Sequence, residues 1–171
     1  MKDETKKIIK KLIRKEITDK KFIKVFCLVE KNFDYALEEL LENSVKEKNA
    51  EDLVLLMFLI YKFEKKSINI INMLCDIFED NWHYEHENIA FLFEEARPIK
   101  AVNSLYRVAI SKFPYLDFDY NYALAVKCIW ALGNIRNEES VGKLKLLATS
   151  NNEIIKNNAL EQLERIKLNV K

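Results

Sequence analysis

The sequence predicts an all-α protein, and three observations carry that prediction. The chain holds only 2 Gly and 2 Pro among 171 residues, so it lacks the turn punctuation that sheets and hairpins need. Its apolar residues recur at helical rather than alternating spacing from end to end. Apolar residues make up 49% and charged ones 32%, a balance that suits a packed domain and excludes disordered and membrane-embedded classes. The length suffices for one domain with a real core or for a short repeat array.

Residues 5–17 place Ile9, Leu12, Ile13 and Ile17 on one stripe with lysines opposite. Such a helix can lie on a lipid surface, but the same stripe is ordinary bundle spacing, and we read it as a terminal helix capping a core. Segments 21–30 and 34–48 follow, broken near Asn32. Segment 50–64 is strongly apolar, and 67–79 starts on Ser67, a suitable N-cap. A charged break at Asn81 leads to 84–96. Pro98 opens the next helix, at the position proline tolerates best, running to about residue 112. Residues 113–117 form the longest loop, and 120–135, 138–149 and 152–168 complete the chain. Asp117, Asp119 and Tyr120 could add a contact edge there, since loops of this length are often functional; a plain connector is the reading we take.

The charge balance is +1, with 28 basic against 27 acidic residues. A phosphate-binding domain usually shows a basic excess, so the total argues against nucleic acid, although a local basic patch can hide within it. Cys27, Cys75 and Cys128 are odd in number, far apart and set in apolar segments, which fits free, buried thiols in a reducing compartment. The first residues are charged throughout and lack an apolar signal core. The longest apolar run, 53–61, is too short to span a bilayer. The expectation is a cytoplasmic, monomeric protein with no membrane contact and no cofactor.

Self-similarity is the strongest signal. Ile129, Leu132, Ile135, Val141, Leu144 and Ala148 fall on Ala90, Phe93, Ala96, Val102, Leu105 and Ala109 at a constant shift of 39. At a shift of 31, Leu124, Ile129, Leu132 and Ile135 fall on Ile155, Leu160, Leu163 and Ile166. Each unit is a helix, a tight turn and a helix, which cannot bury its apolar face alone and must stack on a neighbour. The stretch NYALAVKCIWALGNIRNEESVGKLKLLATSNNEIIKNNALEQLERI resembles the short HEAT-like repeats named after phycobilisome lyases, with their Ala-Leu-Gly-x-Ile helix ending and charged turn. The resemblance covers residues 85–167. It implies an armadillo-type, right-handed α-α superhelix, here a single domain of about nine helices. Residues 1–48 would be capping or diverged helices, and 50–171 the helix pairs.

Two enzymatic families share that fold. The deoxyhypusine hydroxylase type holds two irons through one His-Glu pair per repeat. His86-Glu87 sits at the matching place, but the other repeats carry Ala125-Val126 and Lys156-Asn157, and ligand count decides metal sites. His83 and His86, with Glu85 and Glu87, could share one helix face. We read Trp82-His83-Tyr84 instead as a cluster that orders a helix entry. The alkylpurine DNA glycosylase type uses a basic face with aromatic and acidic residues, and no motif maps onto this chain. No phosphate loop or nucleophile elbow appears. The expectation is therefore no catalytic residue and no metal.

Solenoids bind partners along a curved helical face. Counting back from Ile135, which the periodicity buries, Gly133, Trp130 and Val126 point away from the core at 100° per residue. The matching positions are Glu94, Phe91 and Glu87 before it, and Glu164, Glu161 and Asn157 after it. Phe91 and Trp130 rimmed by Glu87, Glu94, Glu161 and Lys127 have the anatomy of a protein hot spot; the competing reading is that both aromatics are core. With its Trp-His-x-x-His-Glu entry, the chain is similar to small bacterial HEAT-like proteins that neutralise a partner, as toxin-immunity proteins do. That implies a protein partner, a toxin in the immunity case. Alternatives are an adaptor or scaffold of a cytosolic assembly, and an enzyme on a HEAT scaffold.

Overall fold

The computed structural model describes residues 1–30, 32–116 and 120–168. Among these the chain forms ten α-helices and no strand. They are α1 (Asp3–Ile13), α2 (Asp19–Glu30), α3 (Phe33–Lys46), α4 (Ala50–Lys62), α5 (Ile68–Ile77), α6 (His86–Ala96), α7 (Val102–Ile110), α8 (Ala123–Ile135), α9 (Glu138–Leu147) and α10 (Glu153–Leu168). The expectation of about nine is one short. The break at Asn32 separates two helices because its side chain caps α3, accepting from the Tyr35 amide at 3.0 Å. Asn49, Asn137 and Asn152 start α4, α9 and α10 in the same way, and Ser67 accepts from the Ile70 amide as its N-cap role requires.

Helix ends depart from the usual glycine solution. Lys15, Lys48 and Glu64 take positive φ of 59°, 50° and 51°. The residue after each donates its amide to a carbonyl five positions back: Glu16 to Lys11, Asn49 to Ser44 and Lys65 to Ile60, all at 2.9 Å. Arg97 and Arg136 end α6 and α8 at φ 54° and 57°, each donating to a carbonyl four back. Those two arginines are 39 positions apart, so the backbone repeats with the period of the side chains.

Three boundaries move. α1 stops at Ile13, so Ile17 lies beyond it, and the buried stripe is Thr5, Ile8, Ile9 and Leu12, while Ile13 is 41% exposed. Pro98 precedes a short 3-10 turn, Ile99–Ala101, and α7 begins only at Val102. α8 begins at Ala123, after a left-handed Tyr122. Cys75 and Cys128 are buried free thiols as expected, but Cys27 is only half-buried. Asp117 and Asp119 lie outside the described residues. Among the described residues no helix is long and apolar enough to cross a membrane.

The chain divides into two compact units, Met1–Met73 and Leu74–Lys171. In the first, α1 packs on α2, α2 on α3 and α3 on α4, and α1 also meets α4. Its core joins Leu37, Leu41, Leu56 and Ile60 to four rings, Phe22, Phe26, Phe33 and Phe63, whose centroids lie 5.1 to 6.2 Å apart. Asp52, in the first turn of α4, is also buried. The Lys6 ammonium lies 2.6 Å from one carboxylate oxygen and the Met1 ammonium 2.7 Å from the other.

In the second unit α8 is central. It packs on α6 and α7 before it and on α9 and α10 after it, while α7 meets α9 and α9 meets α10. Ala90 and Ile129, Phe93 and Leu132, and Leu105 and Leu144 are buried pairs at the 39-residue shift. The 31-residue shift holds less evenly. Leu124 and Ile155 are both buried, but Ile129 is fully buried whereas Leu160 is 47% exposed.

Candidate functional site

The candidate residues Glu87, Phe91 and Glu94 stand on α6, Val126, Lys127 and Trp130 on α8, and Asn157 and Glu161 on α10. The structure brings these helices together, with α6 and α10 packed on either side of α8. Their register needs correcting, however. The residues expected to point to solvent mark the flank each helix turns to the next one. Glu87 accepts from Lys127 Nζ at 2.5 Å, and Glu94 accepts from Asn134 through its carbonyl at 3.2 Å. Trp130 Nε1 donates to Asn158 at 3.3 Å, and the Arg165 guanidinium sits 4.8 Å above the Trp130 ring. Periodicity says which way the core lies, but a helix in the middle of a layer has two flanks, and each is half covered.

Gly133 shows the correction most directly. Far from facing solvent it is buried, and a Cβ there would lie 2.4 Å from Gln162 Oε1 and 2.9 Å from its Cγ. The missing side chain admits Gln162, whose Oε1 accepts from Arg165 at 2.5 Å. Arg165 also reaches Asn134 Oδ1 at 3.4 Å. Ile135, the residue the register was counted from, is half-buried rather than buried.

What remains open on this flank is specific. Phe91 is 45% exposed. Trp130 is half-buried, neither core nor free. Glu87, Glu94, Val126 and Lys127 are half-buried, and Asn157, Glu161 and Glu164 are exposed. Glu87 is neutralised by Lys127 and Glu94 Oε1 accepts from Asn134 at 3.4 Å, so the open carboxylates are Glu161 and Glu164. Sequence reasoning missed Asn134, Asn158 and Arg165, the residues that fasten the three helices together. A signal existed: Asn134 follows Trp130 by one helical turn, as Arg165 follows Glu161.

The two histidines are wholly buried and serve a different end. Glu85 donates its amide to His83 Nδ1 at 3.2 Å, so His83 carries its proton on Nε2 and gives it to the Ile77 carbonyl at 2.9 Å. His86 Nε2 donates to the Asp80 carbonyl at 3.0 Å, which leaves Nδ1 to accept the Tyr115 hydroxyl at 2.8 Å. The imidazoles stack with centroids 4.3 Å apart, and Phe113 lies 4.0 Å from His86. Burial, then the neighbouring His83, pushes the His86 pKa down to about 4, and burial lowers that of His83. Both rings are neutral at pH 7 with every nitrogen engaged.

The chemistry this allows is limited. Burial raises the Cys75 thiol to about 11 and raises Cys128 further, so neither supplies a thiolate at neutral pH. Among the described residues no group of three or more His, Cys, Asp or Glu is placed to hold a metal. A cavity of about 520 Å³ opens beside Val108, Phe113, Leu124 and Ile155, with Lys112 and Tyr122 in its lining. No carboxylate, imidazole or thiol lines it among the described residues. Comparison with family models, curated proteins and solved structures finds no match.

Proposed function

We propose that this chain is a non-catalytic protein-binding module of the HEAT-like solenoid type, acting in the cytoplasm and holding its partner on the α6–α8–α10 flank. One observation carries the reading. Side-chain bonds join α6 to α8 and α8 to α10 and fix a half-buried Trp130, on helices that also carry the 45% exposed Phe91 and the exposed carboxylates Glu161 and Glu164. Aromatic anchors pre-arranged within a polar rim are what a protein interface needs, because little ordering is left to be done on binding. Of the processes such a module serves, neutralisation of a toxin-like partner is the one we favour, from the resemblance carried by residues 85–167.

Affinity capture from host lysate, followed by mass spectrometry, tests this. The wild type recovers one protein at equal stoichiometry, and Phe91→Ala or Glu161→Lys loses it. Glu161 is exposed, so Glu161→Lys melts as the wild type does, whereas Phe91, 45% exposed, gives up part of its ring burial and melts slightly lower. Recovery of nucleic acid in place of a protein, or capture that neither substitution weakens, overturns the reading. A captured protein that belongs to a larger complex and has no toxic activity selects a scaffold over immunity.

A further inference from the structure

The charge of this chain is unevenly laid out. Residues 1–24 carry ten basic side chains and four acidic ones, a net of +6, whereas residues 25–171 carry 18 and 23, a net of −5. Asymmetry of this size points to an anionic surface as partner. Four of the cations are engaged: Lys2 with Glu30, Lys6 with Asp52, Lys10 with Glu51 and Arg14 with Glu16. Lys7, Lys11, Lys15, Lys20, Lys21 and Lys24 are exposed and make no ion pair among the described residues. Lys7 and Lys11 follow one another up the solvent side of α1. On the neighbouring α2, Lys20 and Lys24 stand in a row with Leu28, and Leu28 is 78% exposed.

We propose that this lysine surface of α1 and α2 docks on an anionic lipid bilayer. The apolar stripe with which α1 could have lain in a membrane is buried in the core, so the attraction comes from the lysines, each adding roughly fivefold in affinity near an anionic leaflet. Leu28 favours a bilayer over nucleic acid. A bare leucine in a lysine row gains by entering the interface between headgroups and acyl chains, and finds nothing apolar on a phosphate backbone. Neither helix has an Asn, Gln, Tyr or Trp with which to read a base edge or stack on a base.

Sedimentation with vesicles tests it, using phosphatidylcholine alone and phosphatidylcholine mixed equally with phosphatidylglycerol. The full chain co-sediments with the mixed vesicles only, and high salt releases it. Lys7→Glu with Lys24→Glu lowers partitioning at least about 25-fold, and Leu28→Ser lowers it about tenfold. All three positions are exposed, so circular dichroism melts stay at the wild-type value. Salt release of the unaltered protein is a readout that needs no variant. Equal sedimentation with both vesicle types, none with either, or indifference to the lysine substitutions overturns the proposal. So does tighter binding to a short DNA duplex that Leu28→Ser leaves unchanged.

Discussion

Asp52 in the first unit and the His83–His86 pair in the second are both buried to 1% or less, and they meet the cost of burial in opposite ways. Asp52 stays charged. Burial pushes its carboxyl up, but the bonds from Lys6 and the Met1 ammonium outweigh that and hold it below its ordinary 3.8. The histidines stay uncharged: all four ring nitrogens have partners that suit the neutral form, and a proton on His83 Nδ1 would break its bond from the Glu85 amide. The first device depends on two cations reaching one carboxylate. The second depends on tautomers fixed by backbone carbonyls. Buried polarity therefore says nothing of function by itself until the protonation state it requires is known.

The sharpest way to break the comparison is to remove the anion. Asp52→Ala leaves the Lys6 ammonium, which is 18% exposed, and the Met1 ammonium against a hydrophobic core. Loss of one partner of a buried pair costs about 3–5 kcal/mol, near the low end here because Lys6 can turn outward, and urea denaturation at pH 7 measures it.

Acid separates the two devices in time. An unfolded histidine protonates near 6.5, whereas folded His86 does so only near 4. Between these values the unfolded state binds more protons, so stability falls as pH falls, by roughly 3 kcal/mol for His86 alone. Asp52 has the same sign in a lower window: its contribution is complete above 3.8 and disappears as pH drops through its depressed folded value. Denaturant midpoints from pH 7 to pH 3 are expected to decline first over the histidine window and again below it. A flat profile from pH 6.5 to 4 would show that the imidazoles can protonate in place.

The smallest effect belongs to the edge of the histidine cluster. Tyr115→Phe keeps the ring against Phe113 and Tyr84 but removes the donor to His86 Nδ1. About 1–2 kcal/mol is expected at pH 7. Urea denaturation at pH 7 measures it.

Much of this was legible in the chain. The helices and their breaks follow from apolar spacing and from asparagines and a serine at the starts, and the histidines order the entry to α6 through bonds to Ile77 and Asp80. The flank was not legible. The apolar stripe of α8 locates the core but does not say that Trp130 meets Asn158 and Arg165, since that pairing depends on the stacking offset of two helices. Gly133 was misplaced for the same reason: an absent side chain leaves no mark in a periodicity until Gln162 is seen occupying its place. Lys15 and Pro98 shifted boundaries because the left-handed turn and the 3-10 turn are local backbone choices that residue type only weakly specifies.

The glycines show where this fold tolerates change. None of the described helix ends uses one, although Lys15, Lys48, Glu64, Arg97 and Arg136 all hold the backbone shape that favours it, at a strain of about 1 kcal/mol each. Gly133 is kept instead for a seam with no room for a methyl group. Successive turns can therefore drift in sequence or be relaxed by design without disturbing a packed surface, while the spacing between α8 and α10 is fixed by a single atom's absence. Divergence among proteins built on this plan is expected to gather at the turns and to stop at that seam.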